Sequence, residues 1–329
     1  MKLVATREFP PDIVACLHHQ CEDLTITVAG TDDWERLERE LGDADILYGS
    51  FGGGSGDVFG RVMRAARAAR WVHTTSAGVD EILCPELYGR ELLLTCGKGH
   101  AVGPLLAEHA MALLLALSRA IVQAARLDHW DRGAFGASSM RHRPFELTGS
   151  TMGIVGLGGV GAELARRAAA FDLRVVGVRR RPDGLVPPHV DAVWSLDELP
   201  RLLAMADIVV LILPNTPETA GSFGESQLRA MKESAWLINV GRGQVMDGPA
   251  LERALVEGWI AGAGLDVMPD EPWPAESPLW HMDNVIITPH IAGDSAQRAV
   301  RDMHVFCENL GRFVHGEPLA SAVDLDLGY

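Results

Sequence analysis

Short apolar runs alternate with stretches of helical spacing along almost the whole chain. In the first hundred residues the runs 3–6, 24–28, 46–48, 71–74 and 92–95 are predicted strands. Between them, 33–41 and 58–69 are predicted helices, the second with Val62, Ala65, Ala66 and Ala69 on one face. A long helix is expected over 104–125, with Pro104 in its first turn, where a missing N–H costs nothing. Residues 128–149 are polar and interrupted by Gly and Pro, and read as an excursion and loop. The alternation then resumes with strands at 152–155, 174–178, 192–194, 208–213, 236–239, 263–266 and 285–287, and a last helix at 295–315. Strands that are apolar throughout are covered on both faces, as in parallel sheets flanked by helices. The pattern predicts an α/β protein of two doubly wound parallel-sheet domains of unequal size. The Gly-rich stretch Gly52–Gly56 after the third strand is a flexible connection or a mobile lip of a cleft.

Composition narrows the functions open to such a fold. The 329 residues suffice for two domains. The 44 acidic against 29 basic residues leave a net charge of −15. That balance excludes a nucleic-acid surface, which needs a basic stripe, and does not suit an anionic membrane. The longest apolar run, Ala110 to Leu117, is far short of the roughly 20 residues that span a bilayer. Five cysteines with no CxxC pair and no zinc spacing read as reduced thiols in a cytoplasmic protein, and no metal site emerges.

The sharpest local signal is Gly153-Ile154-Val155-Gly156-Leu157-Gly158-Gly159-Val160-Gly161, with glycines 156, 158 and 161 in the G-x-G-x-x-G pattern. It follows one predicted strand, opens a helical run over 162–171 and leads to a second strand. In that context the first glycine permits the tight turn and the second lets a pyrophosphate approach. The third packs the helix on the sheet, and the helix N-terminus faces the phosphates. The second strand ends in Arg179-Arg180-Arg181, where an acidic residue would bind the ribose 2′-hydroxyl of NAD. Guanidinium forks there suit a 2′-phosphate, so NADP is the expected cofactor, with NAD possible.

Three later segments place a charged or polar residue at a strand end: Asn239-Val240-Gly241-Arg242-Gly243, Asp266-Val267-Met268-Pro269-Asp270-Glu271, and Thr288-Pro289-His290-Ile291-Ala292-Gly293. Ligands bind outside the carboxyl ends of strands in such sheets, so Arg242, Glu271 and His290 can converge although distant in sequence. A cation, a carboxylate and an imidazole are the parts of a hydride-transfer site.

These motifs, in this order, resemble the D-isomer-specific 2-hydroxyacid dehydrogenase family. So do Ser76-Ala77-Gly78-Val79-Asp80, Ala107-Glu108-His109, Leu147-Thr148-Gly149 and Leu213-Pro214-Asn215-Thr216-Pro217-Glu218-Thr219. The arginine turn and the C-terminal stretch look most like the glyoxylate/hydroxypyruvate reductase branch. The resemblance implies a Rossmann nucleotide-binding domain over 99–295. It also implies a smaller, discontinuous, flavodoxin-like substrate domain over 1–98 and 296–329, and a homodimer. It assigns His290 as acid/base, Glu271 as its partner and Arg242 as substrate clamp, with Ala77 and Gly78 offering backbone N–H groups to the substrate carboxylate. Gly156, Gly158, Gly159, Val160, Gly161, Arg179, Arg180, Pro214, Thr219, Val240, Asp266 and Gly293 would contact the cofactor, Asp266 through the nicotinamide carboxamide. An ionised Glu271 beside His290 would favour the imidazolium that delivers a proton to the carbonyl oxygen. Two departures are Asn215, where an apolar residue is more usual, and Trp273 in place of a leucine, which could shape substrate access.

The activity so implied is hydride transfer between NADPH and a small 2-keto acid, giving the D-2-hydroxy acid. Two rivals stand beside it: an NAD-dependent D-2-hydroxyacid or phosphoglycerate-type dehydrogenase, and a non-catalytic NAD(P)H-sensing binding protein. The arginines speak against the first, and the intact Arg242, Glu271 and His290 set against the second.

Overall fold

A computed structural model describes residues 1–51, 56–99, 101–130 and 144–329, and separates the chain into two compact units, Met1–Val102 with Ser295–Tyr329 and Gly103–Asp294. Most of the expected lip at Gly52–Gly56 and much of the 128–149 excursion lie outside the described residues.

In the first unit β1 (Lys2–Ala5), β2 (Thr25–Val28), β3 (Ile46–Gly49), β4 (Trp71–Thr74) and β5 (Leu93–Cys96) form a parallel sheet in the order β2-β1-β3-β4-β5. Helices α1 (Pro11–Gln20), α2 (Trp34–Leu41) and α3 (Gly56–Ala65) connect its strands. Successive strand residues point to opposite faces. Leu3 and Ala5 accordingly join Ile13, Leu17 and Phe306 on one face, while Val4 joins Leu37, Leu41 and Val62 on the other. The C-terminal helix Ala296–His315 covers the first face, starting at a Ser295 side chain that caps Arg298 N and ending at Gly316 in the left-handed region.

The second unit carries α4 (Gly103–Ser118), α5 (Ile121–Ala125), β6 (Thr151–Val155), α6 (Gly159–Ala169), β7 (Arg174–Val178), β8 (Ala192–Trp194), α7 (Leu199–Met205) and β9 (Ile208–Leu211). It continues with α8 (Glu225–Ala230), β10 (Trp236–Asn239), α9 (Gly248–Val256), β11 (Gly262–Leu265) and β12 (Val285–Ile287). The seven strands are parallel in the order β12-β11-β10-β9-β6-β7-β8. Strand order reverses between β6 and β9, the kind of switch point where doubly wound sheets bind ligands. Fully buried β9 shows why its sequence does not alternate: Ile208 and Val210 pack under α4 and α6, Val209 and Leu211 under α7 and α9.

Two expectations need correction. The single helix over 104–125 is two, because Ala120 adopts a left-handed φ of 51°. The Ser118 carbonyl, which a continuous helix would give to residue 122, accepts from Phe145 N at 2.8 Å instead. No Gly or Pro marks that break, so a tertiary contact overrides good helix formers. Nor are all five cysteines reduced: Cys16 on α1 is bridged to Cys307 on the C-terminal helix, with Cα atoms 6.4 Å apart, and Cys21, Cys84 and Cys96 remain thiols. Composition cannot show that these helices, far apart in sequence, pack side by side. Among the described residues no helix is long and apolar enough to cross a membrane, and no cluster of three or more His, Cys, Asp or Glu could hold a metal.

Candidate active site

The turn after β6 is built by glycine at a position no other residue could fill comfortably. Gly156 has φ 96°, and a Cβ there would lie 2.6 Å from the Ile212 carbonyl oxygen. A Cβ on Gly161 would meet Leu157 at 2.9 Å, so the third glycine sets how closely α6 lies on the sheet. Gly158 and Gly159 are different. A Cβ on either would project into open space, leaving bare main chain exposed at the start of α6, whose N-cap Gly158 offers no side-chain acceptor. Bare amides at a helix N-terminus, beside the sheet's switch point, fit a dinucleotide pyrophosphate. Val160 is half-buried in the first turn of α6.

The far wall of this mouth is the segment after β9. Thr219 Oγ1 donates to the Pro214 carbonyl at 2.6 Å and accepts from Thr216 N at 2.8 Å, tying that segment into a fixed turn with Asn215 half-buried inside it. On the near wall, Arg179 turns back on its own loop and donates to the carbonyls of Leu185 at 3.2 Å and Pro182 at 3.5 Å. Arg180 forms an ion pair with Glu218 across the mouth.

Arg242, Glu271 and His290 follow β10, β11 and β12, three adjacent strands. Buried Asn239 shapes the first turn, accepting from Gly241 N at 3.0 Å and donating to the Arg242 carbonyl at 3.1 Å. Val240 is buried beneath it, and Arg242 Nη1 donates to the Gly241 carbonyl at 3.1 Å. A Cβ on Gly243 would overlap the main chain of Met268, so the turn after β10 presses directly on the loop after β11. Met268 N in turn donates to Glu271 Oε1 at 3.0 Å, and Glu271 Oε2 meets His290 Nδ1 at 2.8 Å. One line of contacts therefore runs from the Arg242 turn to the His290 imidazole.

An ionised carboxylate only accepts, so its pairing places the proton on His290 Nδ1 and leaves Nε2 as the working nitrogen. Nε2 has no hydrogen-bond partner among the described residues, and the ring is about half exposed. His290 sits at φ 54°, in the left-handed region that few side chains other than glycine adopt. Asp266 holds it there. Its carbonyl accepts from His290 N at 2.8 Å, while its carboxylate accepts from Ile291 N at 3.0 Å and Ala292 N at 2.9 Å. Thr288 Oγ1 adds a 2.6 Å bond, and His109 Nε2 on α4 lies 3.3 Å from the same oxygen and 2.9 Å from Thr288 Oγ1. Burial works against the Asp266 charge, yet the bonds from His109, Thr288 and the two amides hold its carboxyl below the ordinary aspartate value.

This bracketing by Asp266 and His109 was not legible as such. The Ala107-Glu108-His109 motif signals a polar residue on a buried helix, but nothing in it names Thr288 or Asp266 as its partners. Gly293 lies half-buried just past the bracketed turn. Trp273 packs against the second unit's core, next to Gly248, rather than standing free. Ala77 and Gly78 belong to the first unit, in a half-buried turn after β4 where Gly97 N donates to the Ser76 carbonyl at 2.8 Å and the Cys96 thiol lies 3.6 Å from the Ala77 carbonyl.

Residues 111–292 match the family model described as D-isomer specific 2-hydroxyacid dehydrogenase, NAD binding domain. A glyoxylate reductase of Korarchaeum cryptofilum is 39% identical over 319 residues, spanning 96% of this chain and 93% of that protein. One from Thermofilum pendens is 35% identical over 331 residues, spanning 96% and 92%. Among solved structures, a D-isomer specific 2-hydroxyacid dehydrogenase from Xanthobacter autotrophicus Py2 in complex with NADPH and MES superposes with a TM-score of 0.80 at 28% identity, covering 100% of this chain and 99% of that one. An NADPH-dependent glyoxylate/hydroxypyruvate reductase from Sinorhizobium meliloti in complex with NADP and sulfate gives 0.77 at 28%, with the same coverage.

Proposed function

The chain belongs to the D-isomer-specific 2-hydroxyacid dehydrogenase family, and from that premise we propose that it is an NADPH-preferring reductase of small 2-keto acids, of the glyoxylate or hydroxypyruvate kind. The observation that carries the reading is the 2.8 Å His290–Glu271 pair, linked through Met268 to the Arg242 turn at the ends of three adjacent strands. The glyoxylate reductases and the NADP(H)-bound neighbours support the substrate class and the cofactor.

The roles follow from charge. Arg242 clamps the substrate carboxylate and polarises the carbonyl, with the Ala77 and Gly78 amides assisting. When bound, a reduced nicotinamide would supply hydride to the substrate's C2. Negative charge then develops on the carbonyl oxygen, and His290 Nε2 gives that oxygen its proton. Glu271 keeps the ring oriented through Nδ1 and balances the imidazolium. Gly156, Gly158, Gly159, Val160 and Gly161 receive the pyrophosphate, and Arg179 and Arg180 border the 2′-phosphate. Pro214, Thr219, Val240 and Gly293 would line the remainder, and Asp266, which fixes the His290 turn, would also accept from the carboxamide. In this reading residues 99–295 hold the cofactor, and 1–98 with 296–329 hold the substrate. In the same reading the enzyme is a cytoplasmic homodimer, the assembly being what the family resemblance implies.

Initial rates of NADPH and NADH oxidation with glyoxylate, hydroxypyruvate, pyruvate and phenylpyruvate test the assignment. The expected result is fast NADPH turnover with the two smallest oxygenated acids. Tight NADPH binding without turnover of any of the four would instead favour a sensing protein.

A further inference from the structure

The ion pair between Arg180 and Glu218 joins the residue two beyond β7 to a residue of the segment after β9. In the sheet order β9-β6-β7 those strands flank β6, so the pair reaches across the carboxyl end of β6, where the glycine turn begins. Arg179, which occupies the position where an acid would read a ribose hydroxyl, turns Nη2 back to the carbonyls of Pro182 and Leu185. Arg180 reaches toward the opposite wall of the cofactor mouth, and what it meets there is a carboxylate.

We propose that Glu218 is a specificity-determining residue: it competes with the 2′-phosphate of NADPH for Arg180 and so limits the preference for NADPH over NADH. The inference rests on the reading of Arg180 as a 2′-phosphate contact. A phosphate monoester carries close to two negative charges and more acceptor oxygens than a carboxylate, so it wins the guanidinium, but only by displacing Glu218. The Glu218 side chain is 72% exposed, which keeps the pair weak and readily exchanged, so the competition is a modest tax rather than a block. NADH, with a neutral hydroxyl at that carbon, leaves the pair intact and pays no such tax. The carboxylate also repels the incoming phosphate, in the same direction.

The test compares wild type, Glu218→Gln, Arg180→Gln and the double variant by the ratio of kcat/KM for NADPH to that for NADH, and by direct binding of 2′,5′-ADP and 5′-AMP. Glu218→Gln is expected to raise the ratio about fivefold, through a lower KM for NADPH, and to tighten 2′,5′-ADP but not 5′-AMP by a similar factor. Arg180→Gln is expected to lower the ratio by about tenfold or more. The gain from Glu218→Gln should shrink in the double variant, because the shared cation is gone. An unchanged ratio in Arg180→Gln would remove the 2′-phosphate reading itself. A lowered ratio there, with Glu218→Gln leaving both the ratio and 2′,5′-ADP binding unchanged, would overturn the competition alone. A full gain persisting in the double variant would also overturn it, since Glu218 would then act without Arg180.

Discussion

Two histidine–carboxylate pairs, His73–Asp302 in the first unit and His290–Glu271 in the second, are opposites. In the first unit His73 and Asp302 are buried, with Nε2 3.1 Å from Asp302 Oδ1 and Nδ1 2.7 Å from Thr95 Oγ1. An ionised Asp302 only accepts, so the proton of a neutral ring sits on Nε2 and Nδ1 accepts from Thr95 Oγ1, which itself accepts from Trp71 Nε1 at 2.9 Å. Tyr48 OH fills the other Asp302 oxygen at 2.8 Å, and burial together with the Asp302 charge pushes that phenol far above its usual range. Every polar atom of the cluster has a partner, Tyr48 stacks on the ring, and Phe306 packs against it at a tilt. In the second unit the His290 ring is half exposed, held at one nitrogen, on a left-handed main chain, at the strand ends. An imidazole–carboxylate pair by itself is therefore no sign of catalysis. What separates the two is a nitrogen left available at a mouth, against a ring with both nitrogens spent inside a core.

Substitutions can break that contrast. Replacing His290 with Ala should lower kcat/KM for glyoxylate by about a thousandfold, as removal of a general acid does, while leaving the thermal transition near that of wild type. Replacing Asp302 with Ala should do the reverse. Leaving the buried His73 Nε2–H and Tyr48 O–H without their acceptor costs about 1–3 kcal/mol of stability each, readable in denaturant titration, and the folded fraction should keep its turnover. A near-normal Asp302→Ala stability would mean the buried cluster is not the fastening described. The third, smaller effect concerns Asp266, which links the two behaviours because it is buried like Asp302 yet serves the His290 turn. Its carboxyl pKa is lowered by folding, so its contribution is present above the ordinary aspartate value and is lost as pH falls through the depressed one. Asp266→Asn should cost about 1–3 kcal/mol at neutral pH, and that difference should close below about pH 4 in acid unfolding curves. A difference that persists unchanged into acid would deny the carboxylate its role in holding the turn.

Much of this was legible in the chain because it depends on local chemistry. Strands such as 208–211 are apolar at every position because both faces are covered, and the glycine turn announces itself through spacing that only close backbone approach requires. Arg242, Glu271 and His290 could be singled out because each follows a strand, and strand ends are where such sheets work. What stayed hidden depends on partners distant in sequence. His73 and Asp302 are 229 residues apart, and Arg180 and Glu218 are 38 apart. The break at Ala120 lacks a helix breaker, and the bridge between Cys16 and Cys307 needs two helices to be known as neighbours. The family resemblance implies a cofactor contact for Asp266, whereas its grip on the His290 turn depends on amides whose direction only the folded loop reveals.

The central claim is that His290, paired with Glu271, protonates a 2-keto acid as it receives hydride on one face. The most direct measurement is to incubate the enzyme with hydroxypyruvate and NADPH deuterated at the transferable position of C4, then resolve the product by chiral chromatography and mass spectrometry. The account predicts a D-hydroxy acid carrying one deuterium at C2 from wild type, and almost none from His290→Ala in the same time. An L product, an unlabelled C2, or equal yields from the two proteins would contradict it.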